Sequence, residues 1–255
     1  MRLDASPLSR RLFISLASVA PLLPREAIAV GAGTSVTGKS RPELGCVLID
    51  EVTQTGKTVT AELALRGTGS QGVAATATFD SPWPLARGLY YDVEAKNEKG
   101  SVFLQVVPLP SEESVMTAPK KLFTKNILKV DGRFGSYGAP TDIKITADEV
   151  SGERRRVDFG FTTTAPGGAD VNWKATLAAL QPRGSPDALV IVSGAPVGKW
   201  KDGGEALSRS ATSSFRIAQV RPTSIPPVAS SDVRFERLGG LLSDEQRKGV
   251  ADSKI

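Results

Sequence analysis

The chain contains no histidine. Its 255 residues include one cysteine, Cys46, two methionines, three tryptophans and three tyrosines. Each scarcity closes a class of chemistry. Without histidine there is no Ser-His-Asp or Cys-His relay, no imidazole zinc ligand and no side chain that ordinarily titrates near neutral pH. One cysteine allows no internal disulfide and no CxxC metal or redox pair. Cys46 sits in an apolar run and reads as a small core residue. Lysine and arginine never form a block of five and the net charge is only +5. With so few Trp and Tyr to stack on bases, nucleic acid is not an expected partner. The longest basic run is "ERRRVDF", Glu153 to Phe159. Successive strand residues point to opposite faces, so this run reads as a solvated strand edge.

What is present begins with an address. Arg2, Arg10 and Arg11 precede the apolar segment Leu12 to Leu23, which falls short of the ~20 residues a membrane-spanning helix needs. Ala27-Ile28-Ala29 is a small-x-small cleavage site. Ser9-Arg10-Arg11-Leu12-Phe13-Ile14 matches the twin-arginine export motif. The expectation is cleavage after Ala29 and translocation of a folded chain into a thylakoid lumen or a bacterial periplasm. A plain secretory signal or an uncleaved anchor is the other reading. Loss of residues 1–29 removes four arginines and two acids and leaves a mild positive balance.

"GTSVTGKS", Gly33 to Ser40, fits the phosphate-loop pattern G-x-x-x-x-G-K-[ST], and "CVLIDE" follows, an apolar run ending in acids. A working phosphate loop hangs between a buried strand and a helix whose N-terminus holds the phosphates. Here the preceding residues belong to the export signal, and Pro42 and Gly45 stand where the helix should run. Cys46 begins only six residues after Ser40, whereas a strand–helix–strand unit needs about 30. Lys39 and Asp50 therefore cannot share a nucleotide, and no nucleotide is expected. Residues 30–43 read instead as a flexible N-terminal arm carrying Lys39 and Arg41.

The remaining chain reads mostly as strands. Residues 44–52 form a short buried run, and in 57–66 Val59, Ala61, Leu63 and Leu65 share one side. Gly67 to Gly72 is a turn. The strand 75–84 ends at Pro82 and Pro84, and "NEKG" joins two strands as a hairpin. A helix is expected in "PKKLFTKNILKV", capped by Thr117, with Pro119 in its first turn. Phe123, Ile127 and Val130 lie on one face and Lys121, Lys125 and Lys129 on another. That stripe is either a solvated face or a dock for an acidic partner. A Gly-rich loop, 131–142, precedes four more strands. In the second of these Val157, Phe159 and Phe161 share a face; in the third Val171, Trp173, Ala175 and Leu177 do. The fourth, "DALVIVSGA", is apolar on both faces, as a strand covered on both sides would be. A last helix spans "GKWKDGGEALSRSATSSFRI", with Leu207, Ala211 and Phe215 recurring on one side. Residues 221–255 read as a Pro/Ser linker and polar tail. The expected class is α+β, an antiparallel sheet with helices packed on its faces, in one domain over 44–220.

"FGSYGAP", "FGFTTTAPG", and "NWKATLAAL" followed by "DALVIVSGAPVGKWKDGGEALSRSATSSFRI", with Trp200, a helix around Leu207, and Ser214-Phe215-Arg216-Ile217 at its close, together resemble the PsbP family of lumenal photosystem proteins. "TFDSPWPLARGLYYDVEA", with its corner Ser81-Pro82-Trp83, is similar to the family's early strand. The similarity spans roughly residues 75–220. It implies an αβα sandwich, no catalysis, and peripheral attachment at the lumenal face of the thylakoid membrane. The implied partner is photosystem II with its oxygen-evolving complex, another photosystem, or an assembly intermediate. Histidines implicated in the family are missing here. No cofactor is expected, and calcium through Asp and Glu stays open, although no D-x-D-x-D-G spacing occurs. The candidate docking residues are Lys39, Arg41, Lys121, Lys125, Lys129, Arg133, Tyr137 and Lys199, with Phe134 in the same loop as Arg133. Two other classes compete. An exported enzyme would need a carboxylate pair from Asp142, Asp148, Glu149 and Asp158, and a small-ligand carrier would need a pocket lined by Trp83, Trp173 or Trp200.

Overall fold

Apolar residues at period two become two antiparallel sheets in a computed structural model, which describes residues 46–86, 93–130, 132–135 and 137–225. The first sheet contains β1 (Val47–Leu48), β2 (Thr53–Thr55), β3 (Thr58–Leu65), β4 (Gly72–Asp80) and β11 (Arg216–Thr223), in the order β1-β3-β4-β11 with β2 also paired to β3. The second contains β5 (Glu94–Asn97), β6 (Gly100–Pro108), β7 (Thr141–Ser151), β8 (Arg154–Thr164), β9 (Asp170–Leu180) and β10 (Asp187–Pro196), in the order β5-β6-β10-β9-β8-β7. The helices are α1 (Lys120–Ile127), α2 (Val197–Lys199) and α3 (Glu205–Ser214). A wide turn, Trp200–Gly204, joins the last two and kinks at Gly203, whose φ of 83° suits glycine. The fold is therefore sheet-rich and antiparallel with few helices, consistent with the α+β expectation.

Alternation places the core. Val59, Ala61, Leu63 and Leu65 of β3 are all buried, and with Ala75, Ala77 and Phe79 of β4 they meet Leu189 and Ile191 of β10 and Ala211 and Phe215 at α3 in one apolar cluster. A second cluster joins Phe123 and Ile127 of α1 to Val157, Phe159 and Phe161 of β8, Ala175 and Leu177 of β9, and Ala188, Val190 and Val192 of β10. Strand β10 feeds both clusters with alternate residues, as the doubly apolar run 187–196 requires. The β5–β6 hairpin turns at Glu98-Lys99, with Asn97 opposite Gly100.

Five local expectations are corrected. The arginine run is not a solvated edge, because β8 lies between β7 and β9. Arg154 reaches the carbonyl oxygens of Ser213 and Phe215. Arg155 is only 6% exposed; it grips Asp148 through two hydrogen bonds of 2.8 Å and donates to the carbonyl oxygens of Val115 and Ala118. Thr117 does not cap α1: its hydroxyl accepts from the Ser114 amide at 2.9 Å, and Pro119 occupies the cap position with no side-chain bond. Val130 is 62% exposed, because the helix ends at Ile127 before bringing it round to the buried face. The last helix stops at Ser214, and the chain continues as β11 rather than as linker. Pro222 is tolerated there because β11 is an edge strand, opposite Val73 of β4. The run 44–52 supplies buried Cys46 but only the two-residue β1.

Candidate functional site

A groove of about 950 Å³ runs between α1 and β7. Helix α1 starts where Pro119, φ −58°, presets a helical entry, and it buries Phe123, Thr124 and Ile127. That orientation turns Lys120, Lys121 and Lys125 to the surface, and Lys129 follows just beyond the helix end. All four lysines line the groove. Opposite them, β7 is an edge strand whose pairing with β8 slips between Thr141 and Lys144 and again between Ile145 and Ala147. Such irregularities re-aim side chains, and Ile143 and Ile145 both line the groove. With Leu128 and Val130 they make its apolar floor. Ile143 is 44% exposed.

The electrostatics are one-sided. Among the described residues no carboxylate belongs to the groove lining, and the first turn of α1 carries Lys120 and Lys121 with no acid. Cations at a helix N-terminus oppose its dipole. The Asp148 carboxyl on β7 is occupied by Arg155: the hydrogen bonds from that guanidinium hold it below the usual carboxylate range, with smaller help from the charges of Arg155 and Lys120 and against partial burial. The Thr124 hydroxyl donates to the Lys121 carbonyl oxygen at 3.2 Å.

The groove unites Lys121, Lys125 and Lys129 but not Arg133, Tyr137 or Lys199. Arg133 pairs with Glu94 at 2.9 Å, and its guanidinium lies 4.5 Å from the centre of the Phe103 ring. It is a structural contact in a separate cavity of about 300 Å³ with Phe103, Phe134 and Trp173. Phe134 packs edge-on to Phe161 at 4.7 Å and to Trp173 at 5.5 Å. Tyr137, 40% exposed, and the exposed Lys199 lie outside the groove lining. Ala29, Lys39, Arg41, the phosphate-loop-like stretch and the tail from residue 226 are outside the described residues.

The competing site classes find their residues otherwise engaged. Asp148 faces Arg155, Glu149 faces Arg156 at 2.7 Å, and Asp158 faces Arg209 at 3.0 Å, so each carboxylate meets a guanidinium. Asp142 stands at the start of β7 with φ 51°. Trp83 and Trp200 are buried. Trp173 is half-buried, stacked on Phe161 and donating to the Thr163 hydroxyl at 3.0 Å. Among the described residues there is no group of three or more Cys, Asp or Glu that could hold a metal ion, and no helix long and apolar enough to cross a membrane. The groove floor is what sequence reasoning missed. Its signal was present in "DIKI", where Ile143 and Ile145 alternate, but nothing local says that a helix from 120–127 will stand beside them. No family model matches the chain, and no curated protein is significantly similar to it in sequence.

Proposed function

We propose that this chain is a non-enzymatic lumenal protein that docks on a photosystem, photosystem II or an assembly intermediate, through the α1/β7 face. The observation that carries the proposal is the lysine-rimmed groove: Lys120, Lys121, Lys125 and Lys129 around an apolar floor, with no acid among the described lining residues. A same-sign rim of this kind attracts an acidic partner over roughly one Debye length, ~8–10 Å at physiological salt. The resemblance of residues 75–220 to PsbP proteins and the twin-arginine-like N-terminus support the compartment and the partner class. The finer architecture proposed is a PsbP-like αβα sandwich, with α1 and α3 on opposite faces of the six-stranded sheet. It is supported by the contribution of Phe123 and Ile127 to one apolar cluster and of Ala211 to the other.

The test is co-fractionation of the protein with thylakoid complexes on a native gel. Wild type is expected to migrate with a photosystem band, and the triple variant K121E/K125E/K129E is expected to be lost from it. Retention of the triple variant overturns the lysine face as the dock. Deleting residues 30–41 checks the arm carrying Lys39 and Arg41 separately: if the arm takes part, binding weakens while the fold is kept.

A further inference from the structure

We propose that the α1/β7 groove seats the acyl chain of an anionic lipid, with the headgroup held by the lysine rim. The inference rests on reading this face as a docking surface, and it names a lipid at the membrane surface as what enters the groove itself. Three features of the lining select this occupant. The described floor residues are all aliphatic, and two of them, Val130 and Ile143, stay exposed in the fold. The described rim residues are all lysines, and Lys120 and Lys121 occupy a helix turn where cations oppose the dipole, so an arriving anion relieves a strain that folding leaves in place. Lysine stems lie along apolar surface while their ammonium groups reach upward, which matches a chain below and a charge above.

Backbone pairing separates a lipid from a peptide. Every peptide residue brings a backbone donor and acceptor that need partners when buried. Among the described lining residues the uncharged polar side chain is Thr124, which already donates to the Lys121 carbonyl, so pairing for a peptide backbone would fall to the free edge of β7 alone. An acyl chain makes no such demand. The size agrees as well: about 950 Å³ lies within the ~300–1,000 Å³ of small-molecule sites, and the eight residues of α1 offer a wall of roughly 12 Å.

The experiment titrates the full chain by calorimetry with dihexanoyl phosphatidylglycerol below its micelle concentration. Dihexanoyl phosphatidylcholine, glycerol 3-phosphate and a peptide alternating Glu and Leu serve as the other arms. The expected result is one phosphatidylglycerol per chain, with phosphatidylcholine about tenfold weaker. Ile143→Ser and Val130→Ser should each weaken the lipid about tenfold, since they strip methyl groups from the floor. Both positions are exposed, and unchanged circular dichroism verifies their fold. Lys125→Glu should abolish the preference for the anionic headgroup. Equal binding of the two lipids overturns the inference. So does glycerol 3-phosphate competing as well as the lipid, indifference to Ile143→Ser and Val130→Ser, or tighter binding of the acidic peptide. If wild type binds no lipid but the lysine-dependent co-fractionation stands, this inference falls alone. If lipid binding holds but co-fractionation ignores the lysines, the photosystem reading falls alone.

Discussion

Changing Lys121 to Glu should make the fold more stable and the protein worse at docking. Lys121 is exposed in the first turn of α1, a turn with no acid, and it stands four residues before Lys125 on the same surface. A cation there opposes the helix dipole and an anion is favoured by it, so reversing the charge is worth about 1 kcal/mol. The Lys121–Lys125 repulsion becomes a Glu–Lys attraction in the favourable order, which adds about 0.5 kcal/mol. The sum, about 1.5 kcal/mol, corresponds to a rise in Tm of about 3–6 °C for a domain of this size. Differential scanning calorimetry at low salt reads it, and 1 M salt should shrink the gain because both contributions are screened. The same variant should bind photosystem membranes more weakly. A Tm that is unchanged or lower at low salt would refute the electrostatic account of this turn. A higher Tm with undiminished binding would show that the lysine contributes nothing to function.

Three other outcomes follow from the packing. Arg155→Met should destabilise by about 3 kcal/mol in urea unfolding, because it strands the Asp148 carboxylate and the Val115 and Ala118 carbonyls beside a buried apolar chain. The hydrogen bonds from Arg155 lower the pKa of Asp148 in the folded protein. The unfolded chain therefore binds that proton more readily, so the stability from the pair is complete above the unfolded carboxylate pKa of about 4 and is lost as pH falls through the folded value. In urea titrations across that acid range, Asp148→Asn should be less stable than wild type at neutral pH and less sensitive to acid. Phe134→Ala should cost about 2 kcal/mol and flatten the near-ultraviolet circular dichroism, since that ring bridges Phe103, Phe161 and Trp173.

Patterns carried by a single segment were legible in the sequence. The alternation of Val59, Ala61, Leu63 and Leu65, the doubly apolar β10 and the turn at "NEKG" each depend on neighbours in the chain. What escaped depended on distant partners. Arg155 is buried because carbonyls from 115 and 118 come to meet it, and no local rule turns the middle one of three consecutive arginines inward. Strand β11 contains Arg216, Gln219, Arg221 and Pro222, a poor strand by composition, and it forms because β4 offers an open edge. At the site, the lysine spacing at 121, 125 and 129 was readable from helical period alone. The floor was not, because Ile143 and Ile145 are brought alongside by the path of the chain after residue 130.

One strand has a consequence for how the molecule comes apart. Because β10 gives Leu189 and Ile191 to one apolar cluster and Ala188, Val190 and Val192 to the other, the two halves of the interior share a wall. Neither can melt while the other stays intact, so heat or urea should produce a single cooperative transition seen alike by every probe. Amide hydrogen exchange along residues 188–193 should then be the slowest in the protein, limited by global opening. The groove between α1 and β7 stands at the far margin of the same sheet, where opening is local, and its surface can yield to a ligand without loosening that wall.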